Sequence, residues 1–332
     1  MAIIRCNKCG LLAEQADSQA GQNVTCPKCG TPATIYPTLF FIERLLDKYF
    51  AAQRELIGLK SASASLPASE SPAPKVAAPL PTDLDLGNTD LLATELQHGP
   101  IYDWFHKKQI KVQADMRNVD TSGFFDEVAE SIGGNLELFK EVIDRLRWSQ
   151  QKEHSSTIIR LDKRSPADAQ ALSGFCQQLY DFSFVAKCFH NKPENNIRLI
   201  LQTAPAIRRF FDGEWLEWHA LMSCLRHAKE RSRRFSCARG LEISLANDDR
   251  YELDVFMLID GNTPICIECK SGEFRQNIDR YLALRKRLGI SGKNFVMCVA
   301  GMSDENAKAF SAMYELAFVN ERGLAEHLGR LF

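Results

Sequence analysis

Two groups of residues in this sequence have the types and spacing to do chemistry. The first is Asp254, Glu268 and Lys270. Residues 251–259 and 264–270 read as a hairpin whose loop is Asp260-Gly261-Asn262, a three-residue connection containing glycine. Closing the hairpin there sets Ile259 opposite Thr263. Counting outward then sets Asp254 opposite Glu268. Side chains alternate along a strand, so Glu268 and Lys270 share a face and Cys269 takes the other. One face therefore carries two carboxylates and an ammonium, among Val255, Phe256, Met257, Leu258, Ile265 and Ile267. Charges in such surroundings are unexpected in a plain core strand. Adjacent carboxylates repel, and a divalent cation relieves the repulsion. Mg²⁺ or Mn²⁺ suits hard oxygen ligands, with water and substrate phosphate completing the shell. Such an ion lowers the pKa of bound water and neutralises developing charge. Asp254 and Glu268 are the expected metal ligands, with the Cys269 carbonyl as a further candidate. Lys270 would stabilise the same charge or position the water. The bland alternative is a surface hairpin with Lys270 as counter-ion.

The second group is Cys6, Cys9, Cys26 and Cys29, two CxxC pairs with sixteen residues between them. Four thiolates close a tetrahedral shell around Zn²⁺ and leave no position open for catalysis. So small a segment buries little apolar surface, so the metal would supply its folding energy. A redox dithiol is the alternative. The other seven cysteines are scattered through expected helices and strands, which fits a reducing cytoplasm better than a disulfide framework.

These groups need elements to hold them. Residues 1–37 are expected to form a zinc ribbon, and 38–60 an amphipathic helix with Phe41, Leu45, Leu46, Tyr49 and Phe50 at helical spacing. That helix would pack on the ribbon or on a second copy of itself, which leaves a homodimer open. Residues 61–98 are expected to be a linker, because 61–82 are rich in Ala, Ser and Pro and contain no aromatic. Residues 99–205 should hold helices near 121–132, 135–152 and 165–181, a strand at 156–161, and a hairpin of 182–189 with 197–202. That order suits either a winged-helix-like module or an α/β support domain. Residues 206–332 complete the chain: a helix at 213–230, strands near 240–246, 251–259 and 264–270, a helix at 275–288, a strand at 294–300, and a terminal α-rich extension. The expected class is α/β with an αβββαβ C-terminal domain.

Asp254 followed by Glu268-Cys269-Lys270 on the next strand resembles the D…(D/E)xK signature of the PD-(D/E)XK, or restriction-endonuclease-like, nuclease superfamily. Phe211-Asp212-Gly213-Glu214-Trp215-Leu216-Glu217 looks like the GxWLE helix of one branch, which includes nuclease domains of CRISPR ancillary effectors. The resemblance covers about residues 210–300. It implies a phosphodiester hydrolase in which Glu217 joins Asp254 and Glu268 at the metal. It also implies a setting in prokaryotic defence or DNA repair. Leu253 stands where the signature has proline. Gln276 and Tyr281 have four residues between them, which departs from the QxxxY motif of exonuclease-like members.

The net charge is −1, so any nucleic-acid surface must be local. Arg226, Lys229, Arg231, Arg233, Arg234 and Arg239 form one basic cluster, and Arg231, Arg233 and Arg234 are its expected backbone-contacting residues. A second cluster, Arg275 to Arg287, follows the hairpin. DNA is the expected partner ahead of RNA. The rival readings are an RNase and a non-catalytic nucleic-acid-binding adaptor built on a nuclease scaffold. No membrane partner, membrane span or secretory signal is expected.

Overall fold

The computed structural model describes residues 2–6, 8–9, 11–39, 42, 86, 89, 92–121, 124–245 and 249–332. Nearly all of the helix expected over 38–60, and most of the linker expected over 61–98, lie outside the described residues. The chain divides into two compact units, Met1–Lys75 and Val76–Phe332.

In the first unit, β1 (Ala2–Arg5), β2 (Leu12–Gln15), β3 (Asn23–Thr25) and β4 (Pro32–Pro37) form an antiparallel sheet in the order β2-β1-β4-β3. Its apolar core is Ala2, Ile4, Ala33 and Ile35 with Cys6 and Cys26. So few side chains stabilise little. The four sulfurs of Cys6, Cys9, Cys26 and Cys29 lie within 4.8 Å of one another, with Cys6 to Cys29 at 3.5 Å and Cys9 to Cys26 at 3.6 Å. A tetrahedral zinc with Zn–S bonds of ~2.3 Å sets sulfurs ~3.8 Å apart, so the four thiols fit that ion.

The second unit is mixed α/β. Helix α1 (Glu95–His106) and β5 (Lys111–Gln113) come first, followed by α2 (Phe125–Gly134), α3 (Leu136–Gln151), β6 (Ser156–Arg160), α4 (Pro166–Asp181), β7 (Val185–Asn191) and β8 (Asn196–Leu201). Strands β6, β8 and β7 form a three-stranded antiparallel sheet in that order. Short α5 (Pro205–Arg209) and a wide turn, Phe210–Glu214, lead into α6 (Trp215–Glu230). Then come β9 (Phe235–Ser244), β10 (Arg250–Ile259), β11 (Thr263–Lys270), α7 (Ile278–Leu288), β12 (Phe295–Val299), α8 (Asp304–Met313), β13 (Ala317–Val319) and α9 (Leu324–Gly329).

The main sheet runs β13-β12-β11-β10-β9-β5. It is antiparallel from β5 to β11 and parallel from β11 to β13. A hydrophobic layer covers each face. Val255, Met257, Ile259, Ile265 and Ile267 join one core with α2, α3, α4 and α6. Phe256, Leu258, Cys266 and Met297 join the other with α1 and α7. A sheet covered on both faces needs apolar residues at nearly every position, as these strands have.

Several elements depart from the sequence expectation, short α5 among them. Helix α1 is absent from it, because Gly99-Pro100 lies inside the helix and reads as a break. Burial of Ile101 and Phe105 offsets that cost. Strand β5 is too short to leave a periodic signal. Strand β9 begins at Phe235, five residues before the expected start at 240.

Elemental analysis should find about one zinc per chain. Cys6→Ser with Cys26→Ser should abolish zinc binding while the melting transition of Val76–Phe332 is retained. A metal-free chain whose four thiols titrate freely would disprove the zinc site.

Candidate active site

Strand register assembles the site. Hairpin pairing runs from Ile259 against Thr263 to Val255 against Ile267, so the next step brings Asp254 to Glu268. Lys270 then bridges the pair, its Nζ lying 2.9 Å from Asp254 Oδ2 and 3.3 Å from Glu268 Oε2. The Cys269 backbone N–H also donates to Asp254 Oδ2, at 2.7 Å. Glu268 and Lys270 share a face as alternation requires.

Alternation slips beside the site. Val255 packs in one core and Leu253 in the other, although two residues apart they should share a face. On the neighbouring strand Arg239 and Leu241 diverge in the same way, with Gly240 between them at φ +63°. Leu253 pairs with Leu241 and Val255 with Arg239, so the slip occurs in both strands at the level of Asp254. An L side chain at Gly240 would be strained and would crowd Asn118 Nδ2 at 3.1 Å.

Glu217 enters from the first turn of α6. The preceding turn depends on Gly213, at φ +153°, where a Cβ would lie 3.0 Å from Ser271 Oγ. Glycine thus lets the turn approach the end of β11, where Ser271 Oγ donates to the Asp212 carbonyl at 3.3 Å. Phe210, Phe211, Trp215 and Trp218 are buried and fix the helix start. The cleft so formed, of about 380 Å³, is lined by Glu214, Glu217, Asp254, Lys270 and Ser271 among others. Glu268 lies beneath it at 1% exposure.

Arg239 is the residue that sequence reasoning misplaces. Expected in a solvent-facing basic cluster, it is 8% exposed and salt-bridged to Glu217 at 2.9 Å. Its Nε donates to the Asn118 carbonyl at 2.9 Å, and its guanidinium lies 4.4 Å from the centre of the Trp218 ring. The aromatic turn Trp215-Leu216-Glu217-Trp218 is the available signal, because a stacked arginine is a common partner of tryptophan. Tyr281 falls outside the motif spacing, yet its ring centre lies 5.6 Å from Lys270 Nζ.

The remaining cluster residues lie elsewhere. Arg231 and Arg233 reach the C-terminal end of the chain, Arg231 donating to Gly329 O at 3.3 Å and Arg233 to Phe332 O at 2.7 Å. Arg233 also pairs with Asp260 at the hairpin tip, at 2.5 Å, and Arg234 is exposed beside it. Fourteen residues along α6 and its end separate Glu217 from Arg231, about 20 Å of helix. Arg226 is paired with Glu130. The structure therefore unites Glu217, Asp254, Glu268 and Lys270 and keeps Arg231, Arg233 and Arg234 at the far end of α6.

Electrostatics mark the site. Burial, then the Asp254 charge, pushes the Glu268 carboxyl well above the usual range. The same causes raise Glu217 to about 8. Burial alone would lower the Lys270 pKa, but Asp254 and Glu268 outweigh it and hold the ammonium protonated. Glu268 Oε1 is buried with no hydrogen-bond partner. An orphaned carboxylate oxygen between acidic neighbours is what a divalent cation would satisfy.

No family model matches the sequence, and no curated protein does. Solved structures are similar to it. Protein VC1899 from Vibrio cholerae aligns at 17% identity and a TM-score of 0.48, covering 70% of this chain and 60% of that one. Can2 from Sulfobacillus thermosulfidooxidans, in complex with cyclic tetra-adenylate, aligns at 18% identity and 0.46, covering 69% and 59%. The chain therefore spans about three-fifths of the length of either protein. No helix among the described residues is long and apolar enough to cross a membrane.

A raised carboxyl pKa has a signed consequence. Between about 4.3, where an unfolded glutamate ionises, and about 8, where folded Glu217 does, the unfolded chain binds fewer protons. Stability without added divalent metal therefore falls as pH rises through that window. Glu268→Gln removes one buried acid whose ionisation the fold opposes, and keeps the shape. Its melting temperature should exceed that of wild type by a gap that widens by a few degrees from pH 5 to pH 8. A gap independent of pH would show that Glu268 carries no such penalty.

Proposed function

We propose that this chain is a nuclease that hydrolyses phosphodiester bonds with Mg²⁺ or Mn²⁺, acting on DNA. The observation carrying this reading is the meeting of Asp254, Glu268 and Lys270 at 2.9 and 3.3 Å, with one buried Glu268 oxygen lacking a partner. Leaving that oxygen unpaired in the interior costs ~1–3 kcal/mol, which a bound divalent cation would offset.

Asp254 and Glu268 would hold the metal, and Glu217 would support it or its water. When bound, the ion supplies Lewis-acid stabilisation of the phosphoryl oxygens and a more acidic water. Lys270 stays protonated beside the cleft, so its charge is in place as negative charge builds on the phosphate. Glu217, with its carboxyl at about 8, can hold a proton near neutrality at the cleft wall. Arg239 positions Glu217 and does not reach the cleft surface in this reading. Arg231, Arg233 and Arg234 would meet backbone ~20 Å from the cleaved bond. A setting in prokaryotic defence or DNA repair follows from the motif resemblance alone.

With Mn²⁺ or Mg²⁺, purified protein should cleave labelled DNA. Asp254→Ala or Glu268→Ala should slow cleavage by orders of magnitude with the fold intact by circular dichroism. Lys270→Ala should lower kcat far more than it raises KM, because its charge matters most in the transition state. Arg239→Lys should be intermediate, since it keeps the charge and loses the stacked guanidinium plane. Wild-type turnover from a folded Asp254→Ala, Glu268→Ala double variant would refute the assignment.

A further inference from the structure

The three-stranded sheet has one face in the core and one in solvent. Thr157, Ile159, Ile197, Leu199 and Leu201 point inward and are buried. On the outer face, register aligns Ile158, Arg198 and Phe189 in one row across β6, β8 and β7. Ile158 is 45% exposed and Phe189 51%. The next rows are Arg160, Asn196 and Asn191 on one side and Ser156, Ile200 and Lys187 on the other. A groove of about 770 Å³ lies over this face, lined by Ile158, Phe189, Lys192 and Arg198 together with Asn191 and Asn196.

The charge is one-sided. Arg160, Lys187, Lys192 and Arg198 are exposed, and none has an ion-pair partner among the described residues. The sole acid on these strands and their connecting turn is Glu194, which accepts from Asn196 Nδ2 at 3.0 Å. Four free cations call for a polyanion. An open aromatic face in the middle of them calls for one that also carries flat apolar groups. Duplex nucleic acid hides its bases and would meet only the cations. A single strand offers phosphate and unstacked base together, and stacking on an aromatic tolerates any base.

We propose that the outer face of β6, β8 and β7 binds single-stranded DNA, with Phe189 stacking on a base and Arg198, flanked by Arg160, Lys187 and Lys192, contacting the phosphates. The proposal deepens the nuclease reading and rests on it only for the choice of DNA. The face is in the same compact unit as the cleft, so it would retain the strand on which the cleft acts.

The test measures binding of fluorescein-labelled 20-nucleotide oligo(dT), a matched oligo(U) and a 20-base-pair duplex to the full chain, by anisotropy without added divalent metal. Phe189→Ala should weaken oligo(dT) binding about 5- to 100-fold, and Phe189→Trp should restore it. Arg198→Glu should weaken it at least about tenfold and lower the slope of log affinity against log salt by about 0.7 for each phosphate that is no longer neutralised. Both residues are exposed, so folding should survive, and circular dichroism checks that. Unchanged oligo(dT) affinity in both variants overturns the proposal. So does an equal loss of duplex binding, dependence confined to oligo(U), or a change of oligomeric state that marks the face as a self-interface. The two readings fail separately. If wild type cleaves DNA, Asp254→Ala does not, and Phe189→Ala binds normally, the nuclease stands and this surface falls. If oligo(dT) binding depends on Phe189 and Arg198 but no metal supports cleavage, the surface stands and the nuclease falls.

Discussion

Three carboxylates are held beside one another in the interior of this protein, and the surrounding structure is arranged to tolerate that repulsion. Two unit charges ~4 Å apart interact by ~4 kcal/mol at an effective dielectric of ~20, so Asp254, Glu268 and Glu217 cannot all stay ionised unaided. Lys270 answers the first two, the Cys269 N–H adds a hydrogen bond to Asp254, and Arg239 answers Glu217. Three acids meet two cations, and one Glu268 oxygen is left over. The deficit is electrostatic and local. That imbalance is what the proposed divalent cation would offset.

The network draws on four elements, α6, β9, β10 and β11, so the site depends on the sheet and the layers that cover it. Lys270 is at the end of β11, where β12 pairs alongside and Ala300 N–H donates to the Lys270 carbonyl at 2.9 Å. Arg239 is fixed from β9 by stacking on Trp218 and by the Asn118 carbonyl from the segment after β5. The slip of alternation at Asp254 and Gly240 is the geometric consequence of placing the site here. Without it Leu253 and Val255 would compete for one core, and a left-handed residue is the means by which β9 follows the slip.

The meeting of Asp254, Glu268 and Lys270 is legible in the sequence through two local rules. Period-two alternation places Glu268 and Lys270 together, and a three-residue loop at Asp260-Gly261-Asn262 sets which residue faces Glu268. Both rules act within twenty residues, so neither needs tertiary information. Arg239 is illegible for the opposite reason. Its neighbours in sequence are arginines that reach solvent or the chain end, and only Glu217, Trp218 and Asn118, distant in sequence, reveal that it is buried. Helix α1 is hidden by Gly99-Pro100, whose helix-breaking tendency is real but smaller than the burial of Ile101 and Phe105 against β9 and β10. The longer elements from 125 to 329 are otherwise legible because they are apolar on a regular period. The four-cysteine cluster is legible because the CxxC spacing that suits metal ligation is written directly in the sequence.

The helical and three-stranded part preceding α6 also helps set the site. Helices α2, α3 and α4 share one hydrophobic core with α6 and the strand residues Val255, Met257 and Ile267. Gly133 on α2 meets His219 so closely that an added Cβ would lie 2.4 Å from the imidazole ring, and His219 is in the same turn of α6 as Glu217. On the other side of that helix start, Asp212 is tied to α3 through Arg147 at 3.2 Å and Gln151 at 3.3 Å. The first turn of α6 is therefore clamped between α2, α3 and the end of β11. A displacement of α3 would pull on Asp212 and hence on the Gly213 turn that aims Glu217. Close-packed interiors transmit such shifts rather than absorbing them. The outer sheet packs through Ile159 and Leu199 onto the same core as the helices that hold this turn.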